Sequence, residues 1–181
     1  MRFSELFAEN LLVRWLTGRT GGYDLAVTMT GVKLGERVLL AGCGDARLLG
    51  ALGAKSGLTG HICGVDTDRE AAGRAERRAE RDGVLVEVFA LQSFASVPGD
   101  DGTFDLAVAD VRGSLADPAG LDGALHEFFR LLRPGGRAMI VGRADSAPAA
   151  MTAALQRHGF RGPRVLAERD RWWFVEALKG R

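Results

Sequence analysis

The stretch that decides the fold is 38–49, VLLAGCGDARLL. An apolar run at 37–41 leads directly into Gly42-Cys43-Gly44, and a helical pattern follows at 46–55. This order predicts a buried strand, a tight turn and a helix. Glycines let the backbone turn sharply and approach a ligand closely, and the next helix presents unpaired N–H groups at its start. The alternative interpretation of the same residues is a strand-to-helix turn without a ligand.

Strands and helices alternate on both sides of this turn. Because the strands are almost continuously apolar, they indicate a parallel sheet covered on both faces by helices. Strands are predicted at 37–41, 61–65, 84–91, 104–109 and 137–141, and helices at 23–30, 46–55, 68–81, 121–132 and 146–158, with a Pro134-Gly135-Gly136 turn before the fifth strand.

The end of the chain follows a different pattern. Two strand-like runs, 164–168 and 172–178, are separated by only a few polar residues. A connection this short forces an antiparallel hairpin, since a parallel crossover needs a dozen residues or more. In the second run, side-chain alternation predicts that one ring of Trp172-Trp173 faces the core and the other faces outward, towards a subunit contact. The sequence therefore predicts an α/β fold, a three-layer αβα sandwich around a mostly parallel sheet.

The 181 residues are expected to form one domain, with a Rossmann-like core at 36–181. Residues 1–35 precede this core, and their amphipathic segment 3–17 predicts a helix that carries Phe3, Phe7 and Trp15. This extension has two interpretations: a lid over the site, or a helix packed on the sheet or on a second subunit. A monomer and a homodimer both remain open.

Charge and cysteine content exclude several classes of protein. The chain has 24 Lys+Arg against 23 Asp+Glu, a formal charge of +1, so the basic excess of a typical nucleic-acid-binding protein is absent. Cys43 and Cys63 form no CxxC pair, and three scattered histidines lack ligand spacing, so neither a disulfide scaffold nor a metal site is expected. We find no signal peptide and no membrane-spanning stretch, and we expect a cytoplasmic protein without membrane contact.

A second candidate site residue is Asp66, at the end of the second predicted strand and about twenty residues beyond the glycine turn. A carboxylate there can accept hydrogen bonds from both ribose hydroxyls of a bound adenosine. The alternative is an N-cap for the next helix, although Thr67 or Asp68 could serve equally well. Arg47 occupies the place of the third glycine of a GxGxxG fingerprint, which argues against a nicotinamide cofactor.

Four segments in register resemble the motifs of class I (Rossmann-like) S-adenosylmethionine-dependent methyltransferases. VLLAGCGDARLL at 38–49 resembles their VLDLGCGTG motif, and GVDTDREA at 64–71 is similar to their second motif. VPGDDGTFDLAVAD at 97–110 and LHEFFRLLRPGGRAMIVG at 125–142 resemble the segments around their fourth and fifth strands. The resemblance implies a seven-stranded sheet in the order 3-2-1-4-5-7-6 and S-adenosylmethionine as the cofactor.

The resemblance also implies which residues contact the cofactor. Gly42, Cys43 and Gly44 would pass beneath its methionine part, and Asp66 would hold the ribose hydroxyls. The remaining implied contacts are Thr67 against the adenine, Gln92 and Ser93 at the adenine edge where the family has an acid, Asp110 near the methyl group, and Tyr23 over the carboxylate end. For Tyr23, a packed ring at a helix start is an equally good interpretation.

The chain departs from the family pattern in its first motif. Leu40 stands where the family has an acid that anchors the cofactor's amino group, and Ala46 replaces the third glycine; Asp45 could compensate for the missing acid. No catalytic signature follows the fourth strand, so no residue is assigned as catalytic. The prediction is a methyltransferase acting on a small molecule. The alternatives are a non-catalytic or weakened S-adenosylmethionine-binding regulatory domain, and an RNA or protein methyltransferase.

Overall fold

The computed structural model describes residues 22–44, 46–143, 147–169 and 171–181. The helix expected at 3–17, with Phe3, Phe7 and Trp15, lies outside this part of the chain. In order, the elements are α1 (Gly22–Thr30), β1 (Arg37–Ala41), α2 (Arg47–Ser56), β2 (His61–Asp66), α3 (Arg69–Arg81), β3 (Glu87–Ala90), β4 (Phe104–Asp110), a 3-10 turn (Ser114–Ala116), α4 (Pro118–Leu131), β5 (Leu132–Arg143), α5 (Pro148–Arg157), β6 (Arg161–Arg169) and β7 (Trp172–Leu178).

The strands form one sheet in the order β3-β2-β1-β4-β5-β7-β6. Every pairing from β3 to β5 is parallel, and β7 is antiparallel to both β5 and β6. One apolar cluster joins one sheet face to α4 and α5, and a second joins the other face to α1, α2 and α3. This is the predicted three-layer sandwich with a C-terminal antiparallel hairpin, and the sheet order implied by the resemblance is confirmed.

Several element boundaries differ from the prediction, and for β3, β5 and α4 the reason is pairing or capping. β3 covers only Glu87–Ala90, because Val84 donates its backbone N–H to the carbonyl of Ala79 at 2.9 Å and continues the helix end. β5 begins at Leu132, which pairs with Phe104. α4 begins at Pro118, three residues before the predicted start. Asp117 caps this helix by accepting a hydrogen bond from the backbone N–H of Gly120 at 2.9 Å.

The prediction that one tryptophan ring of the hairpin faces outward is wrong. Trp172 is 6% exposed and Trp173 is 2% exposed, because helices cover both faces of the sheet at this position. A Cβ added at Gly142 would lie 2.0 Å from the Trp173 ring, so β5 must have glycine opposite this side chain. The indole N–H of Trp173 donates to the carbonyl of Arg143 at 2.7 Å. The Trp173 side chain therefore connects β7 to β5 by packing on Gly142 and by a hydrogen bond to Arg143.

Among the described residues, no helix combines the length and the apolar character needed to cross a bilayer.

Candidate cofactor site

The site lies where the strand order reverses. From β1 the chain proceeds outward through β2 and β3, and it then returns to place β4 on the other side of β1. In such sheets the crevice beyond the carboxyl ends of the strands binds ligands. A cavity of about 1260 Å³ opens there, lined by residues that follow β1, β2, β4 and β5 and by side chains of α4 and α5. The volume is larger than that of most small-ligand pockets.

The glycine turn after β1 packs directly against the end of β4. Gly42 has a φ of +82°, and a Cβ at this position would lie 2.6 Å from the carbonyl oxygen of Asp110. Gly44 has a φ of +49°, and its Cβ would lie 3.5 Å from Oδ2 of the same aspartate. Both the left-handed conformation and the close approach favour glycine at these positions. The turn thus packs tightly against the end of β4, and at Gly44 its backbone reaches the cavity.

Asp66 is the last residue of β2, and its side chain forms a hydrogen bond with the turn that follows β1. The carboxylate is almost fully buried: its Oδ2 accepts a hydrogen bond from the backbone N–H of Cys43 at 2.6 Å, and its Oδ1 accepts one from Asp68 at 2.9 Å. The N-cap of α3 is Asp68, whose side chain accepts from the backbone N–H groups of Glu70 and Ala71. Asp66 is therefore not needed as a helix cap. Each of its oxygens can accept a further hydrogen bond from a ligand hydroxyl.

Both cysteines are neutral packing residues. Burial raises the pKa of the Cys43 thiol far above its usual range, and the neighbouring Asp66 carboxylate raises it further. Burial also raises the pKa of Cys63 to about 12. Thiols act as nucleophiles only when ionised, so neither group is activated for attack.

Asp110, at the end of β4, is held by Arg112. The Nε of Arg112 donates to Oδ1 of Asp110 at 2.7 Å, and a second guanidinium nitrogen donates to Oδ2, which makes the pair bidentate. The same guanidinium lies over the ring of Trp172, 4.3 Å from its centroid. A side chain fixed by a carboxylate on one side and an aromatic face on the other has little rotational freedom.

The predicted site residues occupy distinct positions around the cavity. Gly44, Asp66 and Asp110 line it, while Gly42 and Cys43 form the turn behind it. The neighbouring carboxyl ends of β2 and β3 carry three exposed side chains, Thr67, Gln92 and Ser93. The hydroxyl of Ser93 accepts a hydrogen bond from the backbone N–H of Ala95 at 3.1 Å and still has a donor to offer.

Two further predicted residues lie wholly or partly outside the described part of the chain. Tyr23 belongs to the first turn of α1, but its side chain is not among the described ones. Asp45, the residue expected to compensate for Leu40, is also outside the described residues.

Leu40 is fully buried in a dense apolar environment. It belongs to the same cluster as Val108, Met139 and Phe174, and none of these side chains is exposed. A carboxylate at this position would lose its hydration without gaining a charged partner from these neighbours. The cofactor-anchoring acid of the family has therefore been replaced here by an ordinary core residue.

Sequence reasoning missed the residues that line the cavity beyond Asp110. Among the described residues, the hydroxyl oxygen of Ser114 is buried with no hydrogen-bond partner, which is unusual for a buried polar atom. The signal that could have found this region is the polar segment that follows β4, since ligand contacts lie beyond strand ends. The cavity residues in question are Arg112, Ser114, Leu115, Leu121, Arg143 and Met151.

The residues present fit a nucleoside cofactor with an amino-acid tail. Gly44 brings backbone without a side chain to the cavity, and the buried carboxylate of Asp66 can hold vicinal hydroxyls. The fold is that of a Rossmann-like α/β domain, and the crevice at its strand reversal is a candidate nucleoside site.

Comparison with known proteins identifies the family. A family model described as "Methyltransferase domain" matches residues 38–136, which is more than half of the chain. The chain therefore belongs to the methyltransferase domain family. The matched residues run from β1 into β5 and include both the glycine turn and Asp66.

Curated relatives agree with this assignment, and a solved structure shares the fold. The chain is 26% identical over 117 residues to a ubiquinone/menaquinone biosynthesis C-methyltransferase of Hydrogenovibrio crunogenus, an alignment that covers 64% of this chain and 45% of the relative. It is 30% identical over 129 residues to the ribosomal protein L11 methyltransferase of the same organism, with coverage of 71% and 39%. The chain thus spans less than half the length of these relatives. A SAM-dependent methyltransferase from Aquifex aeolicus has the same fold, with a TM-score of 0.75, 21% identity and coverage of 87% and 89%.

Proposed function

We propose that this domain binds S-adenosylmethionine and transfers its methyl group to a small-molecule acceptor. The observation that carries the proposal is the hydrogen bond from the backbone of Cys43 to the buried Asp66 carboxylate at 2.6 Å. This hydrogen bond connects the glycine turn after β1 to the proposed ribose-binding carboxylate after β2. Both lie at the point where the strand order reverses, which is where such sheets bind ligands. Membership of the methyltransferase domain family supports the same activity.

The proposed cofactor contacts follow the two edges of the crevice. Asp66 would accept hydrogen bonds from the ribose hydroxyls, and Gly42 and Gly44 would admit the methionine part against the backbone. Thr67 and Ser93, at adjacent strand ends, would lie along the adenine. Without an acid at the adenine edge, the Ser93 hydroxyl offers a neutral hydrogen bond, which is weaker than a charge-assisted one. Gln92, Cys43 and Asp110 complete the proposed set, and Tyr23 is proposed to cover the carboxylate end.

The cofactor supplies an electrophilic methyl group on a sulfonium, so the protein contributes mainly orientation and exclusion of water. Leu115, Leu121 and Leu125 provide an apolar wall to the cavity beside Asp110, and each is buried. These side chains would hold the acceptor against the methyl group and keep solvent away from it. We assign no general base, because alignment of the reacting atoms accounts for a large part of the acceleration in such transfers.

A small acceptor is favoured by the buried leucine side chains that line part of the cavity and by the near-zero net charge. One relative is named for quinone biosynthesis and another for a ribosomal protein, so the names of the relatives alone leave both acceptor classes open. Incubation of the protein with methyl-labelled S-adenosylmethionine and a cell extract separates them. Label in the low-mass fraction supports the proposal, whereas label in RNA or protein would contradict it.

Titration calorimetry with S-adenosylmethionine and S-adenosylhomocysteine tests the cofactor assignment. We expect Asp66→Ala to weaken binding of both ligands by roughly 10- to 100-fold, the value of one or two charge-assisted hydrogen bonds. Asp110→Ala should weaken binding less. Asp66→Asn preserves the side-chain volume and serves as a second variant if Asp66→Ala does not fold. Equal binding by wild type and both Asp66 variants, or the reverse order with Asp110, would refute the ribose assignment.

A second candidate function is cofactor binding without methyl transfer. The observation that favours it is Leu40, which removes the anchoring acid of the family and places an apolar side chain in its position. In the labelling experiment, tight binding of S-adenosylmethionine with no label in any fraction would support this regulatory alternative.

A further inference from the structure

We infer that Arg112 is a positioning residue for methyl transfer: it holds the carboxylate of Asp110 beside the cofactor and cancels its charge there. The inference rests on the proposed function, which puts the sulfonium of S-adenosylmethionine near the end of β4. Arg112 acts through Asp110, so it is a positioning residue and not a catalytic one.

Asp110 lies at the boundary between the glycine turn and the part of the cavity proposed for the acceptor. It is the last residue of β4 and is 2% exposed. A Cβ added at Gly44, which lines the cavity, would lie 3.5 Å from Oδ2 of Asp110. A cofactor whose methionine part passes Gly44 would therefore bring its sulfonium close to this carboxylate. An uncompensated carboxylate there would attract the sulfonium, because little water screens charges at a buried site.

Arg112 contacts both oxygens of the Asp110 carboxylate. Its Nε donates to Oδ1 at 2.7 Å, its backbone N–H donates to Oδ1 at 3.2 Å, and a second guanidinium nitrogen donates to Oδ2. Such a bidentate pair fixes the plane of the carboxylate as well as its position. It also places one positive charge directly against one negative charge, so the pair presents no net charge to a ligand.

Trp172 holds the guanidinium from a second side. The guanidinium carbon of Arg112 lies 4.3 Å from the centroid of the Trp172 ring. This ring is 6% exposed and stacks on Phe174 with an interplanar angle of 4°. An arginine held between a carboxylate and an aromatic face has few alternative rotamers. The pairing of Arg112 with Asp110 is therefore built into the sheet and does not depend on a ligand.

The charges around the cavity are balanced as a whole. Among the described lining residues, four aspartates are matched by four arginines. Removal of Arg112 would give this lining a net negative charge, and the excess would lie at Asp110. The effect of Arg112 on a bound cation can therefore be measured by removing it.

Cancellation of the charge of Asp110 serves the transfer in two ways. A lone pair of the acceptor forms the bond to the methyl carbon while the electrons of the S–C bond go to sulfur, which loses its positive charge. A bare carboxylate beside the sulfonium would stabilise the reactant more than the transition state, and this slows transfer. It would also repel an electron-rich acceptor atom. With Arg112 in place, such an atom can approach along Leu121 and Leu125, which line the cavity.

Calorimetry at about pH 7.5, where carboxylates are ionised, tests this inference. S-adenosylmethionine and S-adenosylhomocysteine differ by the methyl group and its positive charge, so the measured quantity is the ratio of their dissociation constants. We expect Arg112→Gln to shift this ratio about tenfold in favour of S-adenosylmethionine. Arg112→Lys restores a positive charge and should keep the wild-type ratio. Sinefungin, an unreactive analogue with an ammonium in place of the methyl sulfonium, should follow S-adenosylmethionine.

Two further variants isolate the charge of Asp110. Arg112→Gln combined with Asp110→Asn removes both charges and should return the ratio to the wild-type value. Asp110→Asn alone leaves the guanidinium uncompensated and should shift the ratio about fivefold in favour of S-adenosylhomocysteine, which keeps the test available if Arg112→Gln does not fold. The matched control is Arg164→Gln, which removes an arginine paired with Glu176 at 2.9 Å outside the described lining of the cavity. It should leave the ratio unchanged.

The possible results separate this inference from the proposed function. If Arg112→Gln weakens both ligands equally, or if Asp110→Asn leaves the ratio at the wild-type value, Arg112 has a structural role only and the inference is wrong, while the proposed function stands. If wild type binds neither ligand at millimolar concentration, the proposed function fails and the inference fails with it.

Discussion

Ala46 has a left-handed backbone conformation, with φ +72° and ψ −7°, at the residue before α2. This conformation strains any residue with a Cβ by about 1–3 kcal/mol, whereas glycine adopts it freely. The motif that this stretch resembles has glycine here, the residue that adopts such a conformation most easily. The strain is tolerated because the flanking glycine turn and the buried start of α2 fix the chain on both sides.

Ala46→Gly is expected to raise the free energy of unfolding by about 0.5–1 kcal/mol. Relief of the strain exceeds the cost of the added flexibility of glycine in the unfolded chain, which is about 0.5–1 kcal/mol. Urea denaturation measures the change. Ala153→Gly, at an exposed position within α5, is the control and should lose about 1 kcal/mol because its backbone is helical. If both variants lost stability to the same extent, the backbone of Ala46 would not be strained.

At the level of elements, Glu127 and Arg130 of α4 hold this helix against the 97–101 segment through hydrogen bonds. Glu127 is 5% exposed and accepts from the backbone N–H of Val97 at 3.0 Å and from Arg130. Arg130 also donates to the carbonyl oxygens of Val97 and Gly99. The hydrogen bond from Arg130 holds the pKa of Glu127 below its usual value, against the opposing effect of burial.

This network should make stability depend on pH. The pKa of Glu127 is lower in the folded state than in the unfolded state. Its contribution to the free energy of unfolding is therefore present above the unfolded-state pKa of about 4.3, and it is lost as the pH falls through the folded-state pKa. Glu127→Gln is expected to lower the free energy of unfolding by about 2 kcal/mol at pH 7, and the difference from wild type should shrink below pH 4. Denaturant titrations across pH 3–7 measure this.

Glu70→Gln, an exposed position on α3, is the control and should follow the wild-type pH dependence closely. A difference between Glu127→Gln and wild type that stays constant from pH 7 to pH 3 would show that the carboxylate charge is not the cause.

Prediction at the level of elements succeeded where the hydrophobic pattern is continuous. β1 was predicted at the residues where it occurs, because Val38–Ala41 are all buried and no polar residue interrupts them. The start of β5 differs from the prediction because a pairing partner far along the chain decides it: Leu132 joins β5 only through Phe104. The start of β3 differs for a local reason, the hydrogen bond from Val84 to Ala79 at the end of the preceding helix. Helix starts shifted for a local reason, as at Asp117, where a capping side chain precedes a proline.

At the level of the whole molecule, the proposed cofactor should stabilise the fold by binding the native state alone. At a concentration one hundred times its dissociation constant, such a ligand adds about 2.7 kcal/mol to the free energy of unfolding. For a domain of this length, the melting temperature should rise by about 5–10 °C with S-adenosylhomocysteine. Differential scanning fluorimetry measures the shift. NAD is the control ligand and should give none; a larger shift with NAD would contradict the proposed cofactor.

The sequence by itself determined the fold class and the two features that mark the candidate cofactor crevice, the glycine turn and Asp66. These depend on local pattern: apolar runs of strand length, glycines at a strand end, and an acid at the end of the next strand. The same local pattern showed that Leu40 departs from the family.

Only the tertiary structure decided what surrounds that crevice. The burial of both Trp172 and Trp173 and the meeting of Arg112 and Arg143 on one ring each depend on residues distant along the chain. No periodicity encodes such contacts, because they arise when β4, β5 and β7 are brought side by side in the sheet. The features proposed to select the acceptor therefore come from the packing of the sheet, whereas the features proposed to bind the cofactor are visible in the sequence.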